Sequence, residues 1–155
     1  LHSFPTRRSS DLIGPKEAQT AAYITHAVDV VMDIHQNNDA GARVCAILAH
    51  RGDVLSLGFN SSKTHPFQAK YRKNPHAVFW HAETAAINNA LKREFQHLLH
   101  KSSMYILRLT HAGNPAISMP CEGCARAIRE HNINRVLYTT GQGWLEQTPH
   151  IDFFS

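Results

Sequence analysis

From Trp80 onward the chain alternates between helical and strand periodicity, and this alternation limits the folds open to it more than any other feature. "HAETAAINNALKREFQHLL" repeats apolar residues at Ala85, Ile87, Ala90, Leu91, Phe95 and Leu98, which predicts a helix opening near His81. "SSMYILRLT" is a β-rich run, "CEGCARAIREHNI" is helical from Cys121 towards His131, and "NRVLYTT" is β-rich again. Strand, helix and strand in that succession call for parallel pairing through a right-handed crossover. Helices that each follow a strand begin along one edge of the sheet, so residues on their first turns can meet.

Upstream, Pro15 opens a segment with Ile24, Ala27, Val28, Val31, Met32 and His35 at amphipathic helical spacing, ended by "NNDAG". "ARVCAILAH" and "VLSLGFN" are short strands joined by "RGD", a hairpin connection. Residues 61–79 have no clean period and read as a long loop, a kind of segment that is usually functional or mobile. The expected order is therefore α, β, β, α, β, α, β. It implies an α/β protein with a mixed sheet of four to five strands and helices on both faces. The last residues, "GQGWLEQTPHIDFFS", predict no element.

A chain of 155 residues, 43% hydrophobic and 18% charged, suits one domain with a real core, expected over 13–155. "LHSFPTRRSSDL" resembles the translated sequence of a DNA-sequencing adapter, so residues 1–12 are read as an artefactual segment, with a disordered N-terminal arm as the rival reading. Neither an 18-residue apolar run nor a secretory h-region is present, so no membrane contact and a cytoplasmic location are expected.

Three cysteines make an odd count, which argues against a disulfide framework and for metal or redox work by the closely spaced pair in "PCEGC", 120–124. Alone, that pair fits a redox couple, half of a structural zinc site, or part of a catalytic one. The first turn of the preceding helix adds His81 and Glu83. One imidazole and two thiolates make three ligands, which leaves a tetrahedral zinc one open position, as in catalytic sites. Helix N-termini favour thiolates there. His131 sits almost two turns further along its helix, out of reach as a fourth ligand. Glu83, two residues from His81, falls on a different side of the turn and can serve as a proton shuttle. Zinc lowers the pKa of water from about 16 to about 7, and a neighbouring carboxylate can pass the proton to a leaving nitrogen.

"HAE" at 81–83 with "PCEGC" at 120–124 resembles the H-x-E and P-C-x-x-C signature of the zinc-dependent nucleoside, nucleotide and nucleobase deaminases. The resemblance covers roughly 42–140 and looks most like the cytidine and deoxycytidylate branch. It implies a three-layer α/β/α cytidine-deaminase-like fold, zinc held by His81, Cys121 and Cys124, Glu83 as proton shuttle, and substrate contacts from Asn60 and the Ala82 backbone. It also implies a small-molecule nucleoside or nucleotide substrate and a homo-oligomer. The sequence departs from the family at Met119, where deoxycytidylate deaminases commonly carry Ser and tRNA-adenosine enzymes Glu, and in lacking a recognisable fifth strand.

The expected reaction is hydrolytic deamination of cytosine in a free nucleoside or nucleotide. Residues 61–76 carry Lys63, Lys70, Arg72 and Lys73 with no acid, and so account for the basic balance of a chain of net charge +4. They are candidate phosphate contacts or simply a solvated loop. With Phe67 and Tyr71 between the charges, they could instead serve a base in single-stranded DNA, RNA or tRNA, the alternative function. A second alternative is a zinc-containing binding domain without activity. Cys45 in an apolar strand reads as a core thiol, and Trp80 as a pocket wall or a core residue.

Overall fold

The computed structural model describes residues 22, 24, 26, 43–61, 63–71, 79–110 and 112–149. Residues 1–12 and most of the expected first helix lie outside these, although residues 22, 24 and 26 are helical. The elements are β1 (Arg43–His50), β2 (Asp53–Phe59), α1 (Pro66–Lys70), α2 (Ala82–Lys92), a 3₁₀ helix (Gln96–Lys101), β3 (Ser103–Leu109), β4 (Pro115–Ala116), α3 (Glu122–Glu130), β5 (Arg135–Thr140) and β6 (Gly143–Gln147).

One mixed sheet runs in the order β2-β1-β3-β5-β6, with β4 paired to β3 off this path. The hairpin turn between β1 and β2 has positive φ at Arg51 (52°) and Gly52 (84°), which matches the strand twist. β3 and β5 pair in parallel, Ser103 opposite Arg135, as the alternation requires. The five strands on the path meet the upper end of the sequence expectation, and the two-residue β4 makes a sixth.

Strand alternation sorts the core into two layers. On one face Ala46, Leu48, Met104, Ile106, Val136 and Tyr138 pack beneath Ala82, Ala86, Ile87 and Ala90 of α2 and Ala127 and Ile128 of α3. On the other face Cys45, Ile47, Tyr105, Leu107, Leu137 and Trp144 gather with the helical Ile24. The sheet thus has helical residues on both sides.

Besides the two-residue β4, three elements differ from the sequence reading. The helix expected to run on through Leu98 stops at Lys92, where Glu94 takes a positive φ of 62°. Phe95 N–H returns to the Ala90 carbonyl (3.0 Å) and Glu94 N–H to Leu91 (3.0 Å), a Schellman closure. Phe95 and Leu98 still reach the core from beyond this turn, so apolar spacing alone does not reveal the break. Within the expected loop, Pro66–Lys70 forms a short helix capped by His65, whose Nδ1 accepts from Phe67 N–H at 3.1 Å. The tail contains β6, antiparallel to β5, with Trp144 opposite Thr139. Trp144 packs into one core layer and Leu145 against the other, so β6 shows none of the in-and-out alternation that marks a half-exposed strand.

At the β2 edge of the sheet, α2 leans over the strand. Asn89 Nδ2 donates to the Leu57 carbonyl (2.8 Å) and an Arg93 guanidinium N–H to that of Leu55 (3.2 Å).

Candidate functional site

The first turns of α2 and α3 meet because two glycines let backbone approach backbone. A Cβ at Gly58 of β2 would lie 2.2 Å from the Ala82 carbonyl oxygen and 2.3 Å from Ala86 N, so only glycine lets α2 settle this close to the strand. A Cβ at Gly123 would lie 1.9 Å from the Tyr71 carbonyl oxygen, which seats the opening of α3 against the end of α1. Tyr71 is in turn fastened to α3 further along: its hydroxyl donates to Glu130 (2.7 Å), and Arg126 donates to the Lys70 carbonyl (2.8 Å).

This packing brings together His81, the N-cap of α2, Cys121, the N-cap of α3, and Cys124 one turn on. Their ligand atoms all lie within 4.8 Å of one another. His81 Nδ1 is 3.6 Å from Cys121 Sγ and 3.3 Å from Cys124 Sγ. Tetrahedral zinc with ordinary Zn–S and Zn–N bonds separates such a pair by about 3.6 Å, so the donor set and its spacing fit that ion. The three also perturb one another. Hydrogen bonding with Cys124, aided by His81, holds the Cys121 thiol down at about 4. The same contact and burial push Cys124 up, while the bond to Cys121 raises His81. A cation bound by both sulfurs displaces the remaining protons.

Glu83 is buried, with 7% of its surface exposed, and burial raises its carboxyl above the usual carboxylate range. A carboxylate so placed shifts towards the neutral range in which a proton carrier works best.

These groups face a cavity of about 400 Å³ lined by, among others, Asn60, Trp80, His81, Ala82, Glu83 and Cys121. Cys124 lies behind them, 1% exposed. The Asn60 side-chain oxygen accepts from Val44 N–H (2.9 Å) and Asn60 N–H donates to the Val44 carbonyl (3.3 Å), tying the end of β2 to β1. Trp80 is a pocket wall that also stacks on His65, ring centroids 4.5 Å apart. Met119 lines the same cavity and is 54% exposed.

The basic segment is arranged differently. Lys63 and Lys70 are exposed and do not line the cavity; the Lys70 ammonium sits 5.3 Å from the Tyr71 ring centre. Arg72 and Lys73 lie outside the described residues. Neither aromatic residue between these charges presents a face for stacking a base. Tyr71 is 2% exposed with its hydroxyl on Glu130, and Phe67 packs against the core. Cys45 is fully buried and pushed up to about 12 by that burial, as a core thiol should be.

Several site residues had no signal in the sequence. Buried Gln68 of α1 accepts from His81 N–H (3.0 Å) and from the Thr84 hydroxyl, so a side chain from the expected loop anchors the opening of α2. Ser118 and Thr139 bond through their hydroxyls (2.9 Å), and Ser118 also donates to the Ile106 carbonyl (2.9 Å), pinning the stretch that leads into α3. Arg108, on β3, lines the cavity as well. Unlike the others it carries a mark in the sequence, as the charged member of the alternating series Met104, Ile106, Arg108.

Residues 17–140 match the family described as the cytidine and deoxycytidylate deaminase zinc-binding region. No curated protein matches the chain closely enough to count as a relative. Among solved structures, a cytidine deaminase from Burkholderia pseudomallei aligns with TM-score 0.54 and 18% identity, over 80% of this chain and 91% of that one. A dCMP deaminase from the cyanophage S-TIM5 aligns with TM-score 0.49 and 18% identity over 81% and 83% of the respective chains. A cytidine deaminase from Mycobacterium leprae aligns with TM-score 0.48 and 16% identity over 81% and 88%. At these identities the first alignment speaks for the fold, a mixed sheet of the cytidine deaminase kind. Among the described residues no helix is long and apolar enough to cross a membrane.

Proposed function

The chain belongs to the cytidine and deoxycytidylate deaminase family, and from that premise we propose that it is a hydrolase that releases ammonia from the cytosine ring of a free nucleoside or nucleotide. The observation that carries this reading is the buried Glu83 beside the convergent His81, Cys121 and Cys124 in one cavity. A binding module has no use for a buried carboxylate at that place, which speaks against an inactive zinc domain.

In this reading His81, Cys121 and Cys124 hold the zinc ion of the family. When bound, zinc supplies a Lewis acid that brings the pKa of water from about 16 to about 7. Glu83 takes a proton from the attacking water and passes it to ring N3, then carries the remaining hydroxyl proton to the exocyclic nitrogen. The bond from C4 to oxygen forms, the bond from C4 to that nitrogen breaks, and ammonia leaves. Asn60 and the Ala82 backbone orient the substrate from the cavity wall, while Trp80 closes it on one side and restricts water.

Glu83→Gln tests the assignment. The expected protein keeps its zinc and loses about 10²- to 10⁴-fold in turnover. Wild-type turnover in that variant would remove Glu83 from the mechanism.

One observation favours a second reading, a base within a single strand. Phe79 (52% exposed), Ile117 (58%) and Met119 (54%) present large apolar side chains around the cavity, and neighbouring bases could rest on them. Binding to a strand falls steeply with salt as several phosphates are neutralised, whereas binding to a mononucleotide falls gently.

A further inference from the structure

The helix-covered side chains of β3 are Met104 and Ile106, both fully buried in the core. The next residue on that face is Arg108, directly across from Val44 of β1 in the antiparallel register. Both line the cavity that contains Glu83 and Cys121. A position that pattern and register assign to apolar packing thus carries a permanent positive charge, half-buried, on the sheet side of the candidate active site.

Among the described residues Arg108 has no carboxylate partner. One guanidinium N–H donates to the Ile117 carbonyl (3.2 Å), and the remaining donors of the fork are left for a ligand. Glu83 lines the same cavity but makes no ion pair with Arg108. The guanidinium is bonded only at the exposed Ile117 carbonyl and keeps its other donors in the open cavity, where an anion from outside the chain can exchange water for charged hydrogen bonds. A neutral base carbonyl would leave that charge uncompensated. A phosphate would neutralise it and match the planar fork with two oxygens at once.

We propose that Arg108 is a specificity-determining residue that binds the phosphate carried on the substrate's sugar, so that the protein selects a cytosine nucleotide over the nucleoside. This rests on the deaminase reading above and narrows it. The phosphate can belong to a mononucleotide or to a strand, and the recognising chemistry is the same.

The test uses the full-length, zinc-loaded protein and its Arg108→Gln and Arg108→Lys variants. Substrates are cytidine, deoxycytidine, their 5′-monophosphates and a short single-stranded oligonucleotide with one cytosine. The wild type is expected to favour a phosphorylated substrate by about 10- to 100-fold in kcat/KM, the range for a charged hydrogen-bonded contact. Arg108→Gln should abolish that preference through KM, lowering kcat/KM on phosphorylated substrates by about 10- to 100-fold more than on the nucleosides, while Arg108→Lys restores part of it. Preference for the monophosphate or for the oligonucleotide identifies the phosphate's source. Equal wild-type rates on nucleoside and phosphorylated substrates would overturn the proposal, as would a preference that survives Arg108→Gln. An equal loss on all substrates would reduce Arg108 to a structural role. Should no cytosine compound turn over, the deaminase reading fails by itself, and Arg108 is judged by calorimetry with the 5′-monophosphates and inorganic phosphate. A tenfold or greater weakening in the variants supports it there, and wild-type protein indifferent to phosphate refutes it. If Arg108→Gln does not fold, Arg108→Lys decides alone, with a several-fold rise in KM confined to phosphorylated substrates.

Discussion

Replacing Gly123 by alanine sets two effects of opposite sign against each other. In a solvent-facing helix the change would add about 1 kcal/mol of stability through helix propensity. Here the new Cβ would lie 1.9 Å from the Tyr71 carbonyl oxygen, where ordinary contacts begin at 3.4 Å, so the two backbones must part by about 1.5 Å. α3 cannot slide away bodily, because Glu130 and Arg126 hold its far turns to Tyr71 and Lys70. It must pivot. From Gly123 to Glu130 is about 10 Å along the axis, so the helix tilts by about 8°, which carries Cys121 by about 2 Å and Cys124 by about 1.3 Å. Zinc sites tolerate departures of about 0.2 Å in ligand distance.

The overlap is expected to cost about 1–3 kcal/mol as overpacking, leaving a net loss of stability, with zinc affinity falling by at least about 10-fold. Denaturant titration in excess chelator measures the first effect, and competition with a chromogenic chelator measures the second. Gly141, around which a Cβ would meet nothing within 4 Å, supplies the control: Gly141→Ala should leave both unchanged. A Gly123→Ala protein more stable than wild type and undiminished in zinc affinity would refute the steric argument.

Gln68→Ala should weaken zinc by about 10- to 100-fold, because the backbone of His81 loses the acceptor that holds it; unchanged affinity in the chelator assay would mean that α2 holds His81 without help. Alkaline pH tests Tyr71, whose phenol is pushed up to about 12, by burial first and then by its bond to Glu130. Between the unfolded value near 10 and that folded value, the native chain keeps a proton that the unfolded chain gives up. Stability should be whole below about pH 10 and fall as pH rises from there. Tyr71→Phe should flatten that decline in denaturation midpoints, and an equally steep decline in the variant would show that other groups cause it.

The zinc-ligand candidates were legible because they sit where local rules are strong. Helical periodicity begins at His81 and at Cys121 and so places both at helix openings, and parallel pairing of β3 with β5 follows from the strand, helix and strand succession. Gln68 and Ser118 were not legible, since each acts through a partner distant in sequence, and a lone polar residue among turn formers carries no period. α1 is five residues long, too short to build a hydrophobic repeat. β6 was hidden for a different reason: with both faces against core layers, the strand lacks the polar and apolar alternation by which a short strand is recognised. Arg108 marks the opposite situation, a legible periodicity whose one exception signals use rather than error.

The contacts of Asn89 and Arg93 with the β2 carbonyls bear on how this protein behaves when crowded. A strand at the margin of a sheet is a template on which another chain can add, and β2 also exposes Leu57, 39% accessible, as an adhesive side chain. An incoming strand would need the carbonyls of Leu55 and Leu57 as acceptors and would find a side-chain amide and a guanidinium already there. Fibrillar growth from that margin first requires stripping α2 from the strand. Because α2 also carries Glu83 and follows His81, resistance to aggregation and integrity of the candidate active site stand or fall with the same helix.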